Sequence, residues 1–146
     1  MAEPSLDARL ASVRGSVSDA AREAGRDPGE ITMIVVTKFH PASLVRELYE
    51  LGVRDFGENR HQDAEPKAAA LGDLDPTWHF VGQLQSKKVR AVLGYARVLH
   101  SVDRTSVVEA IESTGTNVDA FVQLNLTDDP GRGGVDAGDL ENLVER

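Results

Sequence analysis

The chain has 146 residues, of which 40% are hydrophobic and 27% are charged, and its formal net charge is −8 at pH 7. This composition is typical of a soluble globular protein, and the negative charge argues against a general binder of nucleic acid or membrane surfaces. No apolar run reaches the length of about 18 residues that a membrane span needs, and no secretory signal is predicted. The sequence has no cysteine, which excludes disulfides and thiolate metal sites. We therefore expect a cytoplasmic protein.

The first predicted elements are a helix and a strand. Leu6, Leu10 and Val13 begin an apolar stripe that recurs every three or four residues and predicts an amphipathic helix over residues 5–24. The segment 31–38 is rich in β-branched residues and almost continuously apolar. Such a segment is typical of a strand that is buried on both faces, in a parallel sheet covered by helices.

The same alternation of strand and helix continues through the rest of the chain. Further strands are predicted to start near residues 53, 78, 97 and 118. Helices are predicted over about 41–51, 60–71 and 86–93, then after residue 103 and from about 137 onward. Pro41 suits the first helical position, Pro66 either kinks its helix or marks its effective start, and Asp103 can cap the helix that follows it.

Repeated strand–helix units predict an α/β fold. Two architectures fit this order, namely an open doubly wound sheet and part of a (β/α)8 TIM barrel. No GxGxxG follows the first strand and no GxxxxGK[ST] occurs, so the nucleotide-binding form of the open sheet lacks its fingerprint. If the fold is a barrel, about five of its eight units are present and about three strands are absent, which suggests a partial chain.

Lys38 is the first candidate for chemistry, because it ends the most apolar strand. A parallel α/β fold places its ligands at the carboxyl ends of its strands. A partly desolvated lysine at that position can attack a carbonyl and form a Schiff base. The alternative is that Lys38 only reaches water beyond the strand end. The other lysines of the chain are Lys67, Lys87 and Lys88.

Two other residues are weaker candidates. Asn59 follows the second strand at the equivalent position and offers both a hydrogen-bond donor and an acceptor, although a turn with an N-cap explains it equally well. His79 lies within the third strand, where a core histidine with satisfied hydrogen bonds is the favoured interpretation. The 4 histidines show no metal-ligand spacing such as HExxH, so no metal site is predicted.

Five segments together resemble a known family. They are VVTK at 35–38, FGENR at 56–60, WHFVGQLQSKK at 78–88, HSVDR at 100–104 and VQLNL at 122–126. In this order they resemble the pyridoxal phosphate homeostasis proteins, whose fold is similar to the barrel domain of alanine racemase. The resemblance runs from the first helix to the end of the chain.

The resemblance implies that residues 1–146 form one domain, the N-terminal part of a barrel that binds pyridoxal 5′-phosphate (PLP). It implies that Lys38 holds PLP as a Schiff base, with Asn59 and His79 at or near the cofactor and no catalytic residue. The implied partners are PLP and the apoenzymes that receive it, without nucleic acid or membrane. The family's phosphate-binding segments, a Gly-Met-Ser-like turn and a later Arg/Gly-rich stretch, lie on the last strands, and this sequence contains neither.

Three functions remain open at this point. The first is a non-catalytic carrier that buffers PLP, releases it to other amines and so contributes to PLP homeostasis. The second is a fold-type III PLP enzyme, such as an amino-acid racemase or decarboxylase. That function ranks lower because Tyr49 and Tyr95 fall within or at the ends of predicted helices, and because no added β domain is present. The third is a fragment without a competent site, whose first and fifth strands have unpaired edges.

Overall fold

The computed structural model describes residues 2–146, in which parallel strands alternate with helices. The strands are β1 (Val35–Val36), β2 (Asp55–Glu58), β3 (Thr77–Phe80), β4 (Ala96–Val102) and β5 (Asp119–Val122). The α-helices are α1 (Leu6–Glu23), α2 (Ala42–Glu50), α3 (His61–Ala70), α4 (Val89–Val92), α5 (Thr105–Thr114) and α6 (Leu140–Val144). Short 3₁₀ helices occur at Pro28–Glu30, Ser86–Lys88 and Ala137–Asp139. None of the helices formed by residues 2–146 is long and apolar enough to cross a membrane.

The order of the strands distinguishes between the two predicted architectures. The sheet runs β1-β2-β3-β4-β5, and every neighbouring pair is parallel. A doubly wound sheet reverses its winding at a switch point, so its strand order is not sequential. Sequential parallel strands joined by right-handed crossovers place the connecting helices on one side of the sheet, as in a (β/α)8 barrel. The predicted α/β class is confirmed, and the structure corresponds to five units of an incomplete barrel preceded by α1.

The hydrophobic core lies on the helix-covered face of the sheet. Phe56 and Trp78 are paired in register across β2 and β3, and their ring centroids are 5.8 Å apart. Both belong to a buried cluster that also contains Leu10, Val45, Leu48, Val53 and Leu71. A second cluster lies towards β4 and α5 and contains Phe80, Leu84, Val89, Val92, Leu93, Ala96, Leu99, Val102 and Val107. Because side chains alternate along a strand, the residues between these positions form the opposite, inner face.

β1 is shorter and more exposed than the sequence predicts. The predicted strand covers 31–38 and is buried on both faces, but β1 contains only Val35 and Val36, and Val36 is 46% exposed. Within residues 2–146, β1 pairs with β2 alone, so its other edge lacks a ladder partner. The prediction of a strand covered on both faces is therefore wrong for the described part of the chain.

Two of the predicted helix features differ from the structure. Helix α3 continues through Pro66 to Ala70, so this proline does not mark the start of the helix. Helix α5 begins after Arg104, and Asp103 does not cap it. Instead, Oδ2 of Asp103 accepts a hydrogen bond from the amide of Gly134 at 3.0 Å. The carboxylate of Asp103 thus binds the loop after β5, because that loop folds back over the end of β4.

Candidate functional site

The carboxyl ends of β1 and β2 bring two of the predicted site residues to the same edge of the sheet. Val36 is in register with Gly57, and the amide of Thr37 donates to the carbonyl of Gly57 at 3.0 Å. The ladder therefore continues to the last residue before Lys38. Lys38 comes two residues after Val36, and Asn59 comes two residues after Gly57. Both therefore lie at neighbouring strand ends.

Lys38 is exposed and occupies the turn that follows β1. Its Nζ lies 5.9 Å from the centroid of the Phe39 ring. Within residues 2–146 the Lys38 ammonium forms no ion pair, whereas Lys67 forms one. The backbone of Phe39 has φ = 67°, a left-handed conformation that residues with a side chain adopt rarely. The structure thus presents an accessible primary amine at the carboxyl edge, next to a turn of unusual conformation.

Glycines allow close packing at this edge. A Cβ atom at Gly82 would lie 2.0 Å from the carbonyl oxygen of Asn59. A Cβ atom at Gly57 would lie 3.1 Å from Cγ2 of Val36. The loop after β3 therefore packs directly on the end of β2, and this contact holds the half-buried Asn59 in place.

A buried ion pair lies behind the end of β1, and the sequence reasoning missed it. Lys67 in α3 pairs with Glu58 at the end of β2, and their side chains are 8% and 1% exposed. Oε1 of Glu58 also accepts a hydrogen bond from the Thr37 hydroxyl at 2.8 Å. The sequence carries a signal for the burial of Lys67 but not for its partner, because Lys67 falls on the same helical face as the apolar residues Ala64 and Leu71.

His79 lies on the inner face of the sheet, where both of its ring nitrogens have partners. Its Nε2 lies 2.9 Å from Oδ1 of Asp55, and its Nδ1 lies 2.9 Å from Nε2 of His100. The ring of His100 stacks on Phe121, with the centroids 5.0 Å apart. Burial and the neighbouring His79 lower the pKa of His100 below its ordinary value. This geometry is that of a core histidine with satisfied hydrogen bonds, and a contact of His79 with a cofactor stays a prediction.

The three predicted site residues thus lie on adjacent strands, at two different depths. Lys38 and Asn59 follow β1 and β2 at the carboxyl edge, while His79 is paired in register with Gly57 one layer below. In the described residues 2–146, no cluster of His, Asp and Glu side chains has the arrangement of a metal site. The ends of β1 and β2 thus offer a ligand the amine of Lys38, the amide of Asn59 and main-chain groups.

No protein-family model matches the chain, whereas individual proteins do. A pyridoxal phosphate homeostasis protein from Pseudomonas aeruginosa is 36% identical over 140 residues, which cover 93% of this chain and 61% of that protein. This chain is a relative of the pyridoxal phosphate homeostasis proteins. Two more of these, from Corynebacterium glutamicum and Escherichia coli K12, are each 34% identical over 91% and 92% of this chain and 64% and 61% of their own lengths. The resemblance identified from the five segments is confirmed.

Solved structures extend the similarity to three dimensions. PipY of Synechococcus elongatus without PLP matches with a TM-score of 0.80 and 35% identity, over 97% of this chain and 65% of PipY. PipY with PLP bound matches with a TM-score of 0.74 and 36% identity, over 88% of this chain and 62% of PipY. A protein from Bifidobacterium adolescentis has a TM-score of 0.81 at 24% identity and so supports the fold alone. The chain spans less than two thirds of the homeostasis proteins and of PipY.

Proposed function

We propose that this chain binds PLP through Lys38 as a Schiff base and serves intracellular PLP homeostasis as a carrier rather than as an enzyme. The observation that carries this proposal is the exposed amine of Lys38 at the carboxyl end of β1. Ligands of parallel α/β folds bind at this edge. The names of the relatives and the PipY structure with PLP support the choice of ligand.

The residues at this edge fit such a ligand. PLP would supply an aldehyde. The neutral amine of Lys38 would hold it reversibly through a C=N bond, with one water released. Asn59, half-buried on the neighbouring strand end, offers its amide as donor and acceptor to the polar groups of the ligand. Gly57 and Gly82 allow the backbone to approach closely at this edge.

His79 has a different role in this proposal. Since Asp55 and His100 engage both of its nitrogens, His79 cannot donate to or accept from the cofactor without losing one of these bonds. We assign it to the floor of the site, one layer below the strand ends, where it fixes the inner face of β3. Asp55 belongs to the same floor.

Phosphate recognition is expected to be weak in residues 1–146. The two phosphate-binding segments that the family resemblance implies do not occur in this sequence. We therefore expect that the chain reacts at similar rates with PLP and with 5′-deoxypyridoxal, which lacks the phosphate and cannot close to a cyclic hemiacetal as pyridoxal does. A strong preference for PLP would indicate a phosphate site that the resemblance does not account for.

The test of the proposed function is direct. The purified chain is mixed with PLP and reduced with borohydride, and the modified peptide is mapped by mass spectrometry. We expect one adduct on Lys38, which Lys38→Ala abolishes and the matched removal of an exposed amine, Lys88→Ala, leaves intact. Adducts spread over all lysines, or no adduct at all, would show that residues 1–146 do not form the site.

Catalysis is tested separately. The two tyrosines, which could serve as acid–base groups, are Tyr49 in α2 and Tyr95 between α4 and β4. The hydroxyl of Tyr95 lies 3.3 Å from Nδ1 of His61, and burial raises the pKa of Tyr95 above its ordinary value of 10.0. Steady turnover of an amino acid in the presence of PLP would contradict the carrier and favour a racemase or decarboxylase.

A further inference from the structure

Thr37, the residue before Lys38, is held through each of its polar groups. Its amide donates to the carbonyl of Gly57 at 3.0 Å, and its hydroxyl donates to Oε1 of Glu58 at 2.8 Å. Its carbonyl accepts a hydrogen bond from Nζ of Lys67 at 3.0 Å. The side chain is also buried. Two of these three bonds come from the buried ion pair of Lys67 and Glu58.

Stability alone is a weak explanation for this ion pair. Removing two charges from water is costly, and apolar residues of similar volume often give equal or greater stability. In addition, Oε2 of Glu58 is buried and has no hydrogen-bond partner within residues 2–146. A carboxylate that leaves one oxygen unpaired gives up part of the stabilisation that would offset its desolvation.

We infer that Lys67 and Glu58 are positioning residues for Lys38, an inference that rests on the proposed function. Lys67 holds the carbonyl of the peptide group that leads into Lys38, and Glu58 holds the side chain of Thr37. Together they fix the backbone from which the reactive amine extends. Their effect is indirect, since they bind Thr37 and leave the Lys38 amine free to react.

The same contacts give the two lysines nearest to the end of β1 different reactivities. The Lys67 ammonium is buried and paired with Glu58, so it is withheld from an aldehyde. The Lys38 side chain is exposed, so it is available. Lys67 thus helps to position Lys38 and does not itself react with the aldehyde.

The substitution Lys67→Met tests this inference, because it removes the ammonium and keeps an unbranched apolar chain. We expect the rate of borohydride-trapped adduct formation at Lys38, measured with pyridoxal, to fall by about tenfold or more, since a small displacement of a reacting group has large effects on rate. Amide hydrogen exchange of the ligand-free protein provides a second measurement. We expect the amides of Thr37 and His40, which donate to the carbonyls of Gly57 and Thr37, to exchange faster in the variant, while those of β4 keep their exchange rates relative to global unfolding.

A matched control separates positioning from general loss of stability. Val107→Ala shortens a fully buried side chain of the core cluster on the β4 side, so it destabilises the fold away from Thr37. We expect it to leave the rate at Lys38 unchanged. Equal rate losses in Val107→Ala and Lys67→Met, or a wild-type rate in Lys67→Met, would overturn the inference.

The inference stays testable if Lys67→Met does not fold or if the wild-type chain forms no adduct. If Lys67→Met does not fold, Glu58→Gln removes the charge while keeping an oxygen for Thr37, and the same slower rate and faster local exchange are expected. If the wild-type chain forms no adduct at Lys38, the proposed function fails, and the exchange data alone decide the inference. Faster exchange confined to the amides of Thr37 and His40 supports it, and a uniform change across all strands overturns it.

Discussion

His79 and Asp55 lie side by side on the inner face of the sheet, with Nε2 of the imidazole 2.9 Å from Oδ1 of the carboxylate. An ionised carboxylate can only accept a hydrogen bond, so Nε2 of His79 must carry a proton to donate to it. Nδ1 of the same ring is then left to accept a hydrogen bond from Nε2 of His100. Asp55 therefore orders two imidazole rings on two strands.

Removing this carboxylate is expected to destabilise the protein. Asp55→Ala leaves the buried Nε2–H of His79 without its acceptor, which corresponds to a loss of about 1–3 kcal/mol in the free energy of unfolding. Urea denaturation at neutral pH measures this change. Asp75→Ala, which removes an exposed carboxylate, is the control and should change the free energy by no more than about 0.5 kcal/mol. Equal stabilities of the two variants would contradict the role of Asp55.

Acidification is expected to destabilise the fold through His100. Burial and the neighbouring His79 lower the pKa of His100 in the folded state below its ordinary value of 6.5. The unfolded chain then binds more protons than the folded chain as the pH falls below 6.5, so this contribution to stability is complete above pH 6.5 and is lost below it.

The variant His100→Phe keeps the stacking on Phe121 and removes both the titration and the hydrogen bond to Nδ1 of His79, so the pH dependence of stability is compared rather than its absolute value. Urea midpoints are measured for both proteins over a pH series that crosses 6.5. The wild-type midpoint should fall more steeply with acid than that of the variant. Parallel pH profiles would show that His100 does not contribute.

The order of elements and the position of Lys38 could be predicted from the sequence because both depend on local patterns. Apolar periodicity indicates which segments are strands and helices, and parallel strands place their C-terminal residues at one edge. The apolar run of 31–38 predicts too long a β1, because it does not reveal which strand lies beside it. The helix cap predicted at Asp103 is wrong because its carboxylate accepts a hydrogen bond from Gly134, and no local pattern encodes how that distant loop folds back.

The ion pair of Lys67 and Glu58 was missed for a different reason. Charged side chains are rarely buried, so their residue types alone predict exposed positions for Lys67 and Glu58. Their contact joins a strand end to a helix and becomes visible only once both elements are placed. The pairing of His79 with His100 likewise depends on a register shift between β3 and β4, which no local pattern encodes.

Gly82 is expected to be intolerant of a side chain. In Gly82→Ala the new Cβ would meet the main-chain oxygen of Asn59 at 2.0 Å, and backbone atoms cannot rotate away. We expect a loss of about 1–3 kcal/mol in the free energy of unfolding, in the range of overpacked cores. Gly15→Ala is the control, because its Cβ would meet nothing within 4 Å on helix α1 and alanine favours helices. If Gly82→Ala proved as stable as Gly15→Ala, the close contact with Asn59 would be disproved.

The four lysines are expected to differ in their reactivity towards a small amine-acylating reagent. Lys38, Lys87 and Lys88 are exposed, whereas the Lys67 side chain is 8% exposed and paired with Glu58. An ammonium in a buried ion pair must lose its partner and its proton before it can react, so labelling of Lys67 requires local or global opening. Brief labelling of the folded protein followed by peptide mass spectrometry should therefore modify the three exposed lysines and spare Lys67. In urea above the unfolding midpoint, all four should react alike. Labelling of Lys67 at the rate of Lys88 in the folded protein would show that the ion pair does not protect the amine.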